Sequence, residues 1–283
     1  MTRTFPADYS LPVKKLIALG AKNAQGIGPW FDYQELGITG EHIPELIRII
    51  QEINLFWPLG DTESDEVSAP IHAWRALGQL QAQEAITALV ELVIQNEELE
   101  SDWIMEEIPK VMGMIGPASI PVLQEYLKNP EKEVWASVTM SHCLADVGKG
   151  NPESRSDCVN ALQAGLEHYA KNDETINGFL ISNLADLKAT EAVSLVERAY
   201  QADRVDLSIM GDFEEYQIAV GILKERTTPP PRYGLFYNPR IQREADKKAR
   251  VEEERRERQQ AQKPKQKRKR ARKTRRGKRG KRK

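Results

Sequence analysis

Apolar residues recur at helical spacing along most of the chain. Ile43, Leu46, Ile47, Ile50 and Ile53 stand at i, i+3, i+4, i+7 and i+10, one face of a helix. Thr39 precedes that run at an N-cap position, where a hydroxyl can accept from a free backbone N–H. The run closes at the apolar cluster Leu55-Phe56-Trp57-Pro58, and an acidic loop, Asp61-Thr62-Glu63-Ser64-Asp65-Glu66, follows. Residues 69–93 then predict helix, tight turn, helix. Ile71, Trp74, Leu77 and Leu80 form one face, the turn falls around Gly78 and Gln81–Gln83, and Ile86, Leu89, Val90 and Val93 form the facing stripe.

The same arrangement returns. Residues 184–196, LADLKATEAVSLV, align without gaps on LGQLQAQEAITAL at 77–89, pairing Leu77 with Leu184, Leu80 with Leu187, Ala82 with Ala189 and Ile86 with Val193. Between them MGMIGPASIPVL at 112–123 is one residue shorter in the turn, and Gly116-Pro117 ends one helix and starts the next. A looser unit closes a helix at Leu144–Gly148, runs through a longer loop from Lys149 to Ser154, and resumes with the stripe Val159, Leu162, Leu166 and Tyr169. Gly78, Gly116, Gly148 and Lys188 mark units 38, 32 and 40 residues apart. One hairpin cannot bury its own apolar face, and stacked neighbours can, so this recurrence predicts an all-α α-solenoid of helical hairpins.

The segments PIHAWRALGQL at 70–80, MGMIGPASIPVL at 112–123, INGFLISNLADLKATEA at 176–192 and GDFEEYQIAVGI at 211–222 resemble HEAT repeats of the short PBS-lyase HEAT-like kind. The larger block, roughly residues 35 to 232, is similar to an uncharacterised family of bacterial HEAT-repeat proteins. The resemblance implies the solenoid fold and carries over no catalytic residue. Relatives of this kind often end in a Cys-rich zinc module of the SEC-C type. Here no cysteine follows Cys158, and a basic tail stands in that place.

Thr227-Thr228-Pro229-Pro230-Pro231-Arg232-Tyr233 interrupts the helical pattern, since three prolines favour extended polyproline backbone. The expected organisation is a lead-in over 1–38, the solenoid over 39–226, a proline-rich linker over 227–237, a charged helix over 238–262 and a disordered tail over 263–283.

Charge changes the picture most. The chain has 41 basic and 42 acidic residues, and fifteen of the basic ones lie in the last twenty-one positions, where no acid occurs. They are Lys263, Lys265, Lys267, Arg268, Lys269, Arg270, Arg272, Lys273, Arg275, Arg276, Lys278, Arg279, Lys281, Arg282 and Lys283. Residues 1–262 therefore carry 26 basic against 42 acidic residues, a formal −16, and the tail +15. A segment so cationic cannot form a core and seeks polyanions or acidic surfaces. Lys and Arg neutralise phosphates and release counterions without reading sequence, so nucleic acid, RNA ahead of DNA, is the expected partner of the tail. The tail has no aromatic side chain to stack on single-stranded bases and no apolar anchor for a membrane surface.

No apolar run approaches the roughly twenty residues that span a bilayer, and the N-terminus lacks the pattern of a secretion signal. Two cysteines without such a signal, Cys143 and Cys158, suggest a reducing cytoplasm and buried, inert thiols. His42, His72, His142 and His168 form no metal-binding pair, and His142 and Cys143, as helical neighbours, diverge by roughly 100° and make no ready dyad. Gly26-Ile27-Gly28 does not match a phosphate-binding fingerprint and is expected to form a plain turn. The Asp61 stretch lacks the sixth-position Gly and twelfth-position Glu of a calcium loop, where Glu66 and His72 stand. No cofactor, metal site or catalytic residue is expected.

Two sets suit binding. Acids cluster at 61–66, at Glu97, Glu98, Glu100, Asp102, Glu106 and Glu107, and at Asp212, Glu214 and Glu215. They are either a solvated surface or an edge for a basic partner, the protein's own tail included. Trp74, Trp103 and Trp135 fall in successive repeats, as core residues or as anchors for a protein partner. The expected function is a non-enzymatic adaptor, its solenoid holding a protein and its tail holding nucleic acid. The alternative is a bilin-lyase-like or other enzymatic role, which rests on fold analogy alone.

Overall fold

The structure is a computed structural model that describes residues 8–24, 29–57 and 65–229. The chain divides into two units, Met1–Pro231 and Arg232–Lys283. The second unit, with the charged helix, the tail and most of the linker expected there, lies outside the described residues, as do Gly26–Gly28 and Asp61–Ser64.

The described residues are helical and contain no strand. In chain order the α-helices are α1 (Leu11–Ile17), α2 (Ala21–Ala24), α3 (Ile43–Gln51), α4 (Ile53–Phe56), α5 (Ala69–Gln79), α6 (Ile86–Leu99), α7 (Asp102–Ile115), α8 (Ile120–Leu127), α9 (Val134–Gly150), α10 (Arg155–Leu166), α11 (Glu174–Asp186), α12 (Val193–Gln201), α13 (Leu207–Met210) and α14 (Phe213–Ala219). Local chemistry sets many of the boundaries. Pro lies in the first turn of α1, α3, α5 and α8, where its missing N–H costs nothing. Asp173, Asp206 and Asp212 cap α11, α13 and α14 by accepting from free N–H groups. Thr39 precedes a short 3-10 turn, Gly40–His42, rather than α3 itself, and its N–H donates to His42 Nδ1 at 3.1 Å.

Packing follows two interleaved rows. The helices α5, α7, α9 and α11 pack each on the next, and α11 meets α13 and α14. Against them lie α6, α8, α10 and α12: α6 contacts α7 and α9, α8 contacts α9 and α10, and α10 contacts α9, α11 and α12. The apolar stripes line the seam, where Leu77, Leu89, Ile108, Val111, Met140, Leu144, Leu162, Leu184 and Val196 are fully buried. Gly113 lets α7 and α9 approach closely: a Cβ there would come within 3.1 Å of the Asp146 carbonyl oxygen.

The sequence repeat has a backbone counterpart. Gln81 and Lys188, four residues after the aligned Leu77 and Leu184, both adopt left-handed backbone, with φ 52° and 54°. Each is followed by the same bond, Ala82 N–H to the Leu77 carbonyl and Ala189 N–H to the Leu184 carbonyl, both at 3.0 Å. The two alanines are buried, and a 3-10 turn leads each time into the next helix.

Three boundaries differ from expectation. Gly148 does not close its helix; α9 runs on to Gly150. Gly148 instead faces a crowded seam, where a Cβ would meet Leu187 Cδ2 at 2.9 Å, and Asn151 ends the helix while donating to the Gly113 and Val147 carbonyls. The Ile43–Ile53 run is broken between α3 and α4 at Glu52. Residues before 39 are more than a lead-in, because Val13, Leu16, Tyr33 and Ile38 are buried in the same core.

Candidate binding cleft

The side chains singled out from the sequence separate into three environments. The first is a buried network on α5. His72, Arg75 and Gln79 lie on one face at i, i+3 and i+7, and each bonds the backbone of the N-terminal segment. His72 Nε2 donates to the Gly20 carbonyl at 3.2 Å, which leaves Nδ1 to accept from the Tyr33 hydroxyl at 2.7 Å. Burial holds this ring neutral and lowers its pKa from 6.5 to about 4. Arg75 donates to the Ala24 carbonyl and forms a buried ion pair with Glu107 of α7, which also accepts from Trp74 Nε1 at 2.8 Å. Trp74 is therefore a core residue with no exposed surface, and Glu107 is no part of an acidic edge. Trp103 lies with its ring 5.9 Å from the Arg75 guanidinium.

The second environment is a clamp where the described body ends. Asp212 and Glu215 hold the Arg226 guanidinium at 2.5 and 2.7 Å. Glu214 accepts from the Thr227 and Thr228 N–H groups at 3.2 and 3.1 Å and from both hydroxyls. Those bonds, led by the Thr227 hydroxyl, pull the Glu214 carboxyl down to about 2. All three acids of this group are thus compensated.

The third is a cleft of about 670 Å³ where the end of α6 and the starts of α7 and α9 converge. Val93, Asn96 and Glu97 come from α6, Glu100 from the turn, Asp102 and Met105 from α7, and Glu133, Val134, Trp135, Ala136 and Thr139 from the start of α9. Asn96 fixes the turn by bonding both the N–H and the carbonyl of Ser101 at 3.0 and 3.1 Å. Trp135 is 56% exposed, against 36% for Trp103 and none for Trp74, and its ring stands edge-on to Phe179 of α11 at 6.4 Å. Among the described residues no ion pair engages Glu97, Glu100, Asp102 or Glu133. Desolvation by the cleft, then the charge and hydrogen bond of Glu133, raise the pKa of the exposed Glu97.

Of the sequence candidates, the cleft unites Glu97, Glu100, Asp102 and Trp135. It also contains Glu133 and Met105, which sequence analysis passed over; Glu133 had a signal, an acid directly before the apolar start of a helix.

The remaining candidates behave as packing groups. His142 Nδ1 donates to Asn183 Oδ1 at 3.0 Å, and its ring meets Phe179 at 5.3 Å. Cys143 and Cys158 are free and buried, and burial raises both thiols, Cys158 to about 11, so neither is a thiolate near neutral pH. No helix among the described residues is long and apolar enough to cross a membrane.

A family model described as "Protein of unknown function (DUF1186)" matches residues 36–227. The chain belongs to that family. No curated protein and no solved structure matches it. The cleft, from Val93 to Thr139, lies wholly within the DUF1186 region, and the basic segment 263–283 lies outside it.

Proposed function

We propose that this DUF1186 protein is a non-enzymatic adaptor, in which a helical body holds a protein partner and the tail holds RNA or DNA. The body is an α-solenoid of HEAT-like hairpins. Support comes from the two interleaved rows of helices and from the matched left-handed turns at Gln81 and Lys188. The observation that carries the function is the charge division, −16 over residues 1–262 against +15 over 263–283. The tail supplies sequence-independent phosphate contacts, and the acidic body stays off the polyanion. Such a molecule brings a protein to nucleic acid without choosing the sequence.

The test compares the full chain with one lacking 263–283, in RNA and DNA binding and in pull-downs with and without nuclease. Deletion abolishes nucleic-acid binding and leaves helicity and thermal unfolding unchanged. For the full chain, affinity falls steeply with salt, with a slope of about −0.7 to −0.9 for each phosphate neutralised. Nucleic-acid binding that survives the deletion refutes the reading.

A further inference from the structure

We propose that the cleft between α6, α7 and α9 takes a lysine- or arginine-rich peptide of the partner protein, one of its cations lying over the face of Trp135. This rests on the adaptor reading and gives its partner a chemistry.

The cleft combines a volume of about 670 Å³, a tryptophan 56% exposed and four carboxylates without an ion pair among the described residues. The placement of those carboxylates is informative. Asp102 and Glu133 stand at the N-terminal ends of α7 and α9, where the helix dipole favours anions. Glu97, Glu98 and Glu100 crowd the C-terminal end of α6, where it disfavours them, and no basic residue occupies that last turn. Glu100 also adopts left-handed backbone, φ 48°, which glycine would take more readily. Local helix chemistry accounts for the first pair and runs against the second group. Departures of this sort from local preference gather at functional sites. A cation arriving from outside relieves the second group.

The cleft walls fit such a cation. Val93, Met105 and Trp135 offer apolar surface for the aliphatic stem of Lys or Arg, and the carboxylates surround its charged end. A guanidinium or ammonium within about 6 Å of an indole face is attracted by the ring. Trp135 rests against the Phe179 ring at 6.4 Å while keeping 56% of its surface exposed. The neighbouring Lys132 does not serve the purpose, since its ammonium sits 5.2 Å from the Tyr126 ring centre.

The experiment uses the full chain, nuclease-treated, and a fluorescein-labelled nonapeptide of Arg, Lys and Ser at about 0.15 M salt, read by anisotropy. Trp135→Ala weakens peptide binding about tenfold, the scale of one desolvated cation–aromatic contact. The pair Glu97→Gln with Glu133→Gln weakens it by a similar factor. Glu153→Gln, an exposed acid outside the cleft, changes it less than twofold. Trp135→Phe retains part of the affinity, which separates loss of the ring from loss of fold. The proposal is overturned by no peptide binding to the wild type, by Trp135→Ala within twofold of wild type, or by Glu153→Gln costing as much as the cleft pair. RNA binding by Trp135→Ala stays at the wild-type level. The tail deletion decides the adaptor reading separately, so failure of one is not failure of the other.

Discussion

Two acidic regions of this chain look alike in sequence and differ in kind. Asp212, Glu214 and Glu215 form a clamp, each carboxylate meeting Arg226 or the Thr227–Thr228 backbone. Glu97, Glu100, Asp102 and Glu133 line an open cleft and meet no cation among the described residues. One member of each group shifts, and in opposite directions: hydrogen bonds draw Glu214 down to about 2, whereas desolvation and the Glu133 charge raise Glu97. A carboxylate that has found its partner inside the fold is structural. One that has not is available to something else.

The comparison can be broken most severely at Glu107, the fully internalised member of the acidic set. Glu107→Gln removes the charge that compensates buried Arg75 and lowers the free energy of unfolding by about 3–5 kcal/mol, measured by urea denaturation. A loss under 1 kcal/mol would place Glu107 with the uncompensated acids.

Acid probes the same distinction on a base. His72 is neutral in the fold with a pKa near 4, against 6.5 unfolded, so the unfolded chain binds the extra proton between those values. The stability due to this group is fully present above pH 6.5 and declines as pH falls toward 4, by about 3 kcal/mol in all. Comparing the pH dependence of unfolding with that of His72→Asn isolates the contribution. Equal slopes for the two proteins would refute it.

The smallest effect is the most direct comparison. Arg226→Ala takes the cation from Asp212 and Glu215 and lowers the thermal midpoint, whereas Glu97→Gln removes a like-charge neighbour of Glu133 and leaves the midpoint unchanged or slightly raised. Equal losses in calorimetry would erase the difference between clamp and cleft.

Much of this architecture is legible in the sequence. The stripe Ile71, Trp74, Leu77 and its partner Ile86, Leu89, Val90, Val93 became α5 and α6, because helical periodicity is a local property. The aligned repeats at 77–89 and 184–196 proved to share a left-handed turn that no residue type announces, since neither Gln81 nor Lys188 is glycine. Gly148 misled for the converse reason. Glycine commonly ends helices, but here it sits inside α9 because Leu187, from another helix pair, leaves no room for a Cβ. The cleft is half visible in the sequence: Glu97, Glu100, Asp102 and Trp135 stand out there and Glu133 does not, and nothing local sets Trp135 apart from Trp74.

The sequence alone determined the helical period, the recurrence of hairpins and the division of charge between residues 1–262 and the basic tail, for these depend on neighbours within a few positions or on simple composition. Tertiary structure decided which tryptophans reach solvent and which carboxylates lack a cation among the described residues. Those outcomes depend on contacts such as Trp74 with Glu107 and Trp135 with Phe179, made between helices more than thirty residues apart. Burial and charge compensation belong to such pairs of surfaces, and no single stretch of chain specifies them.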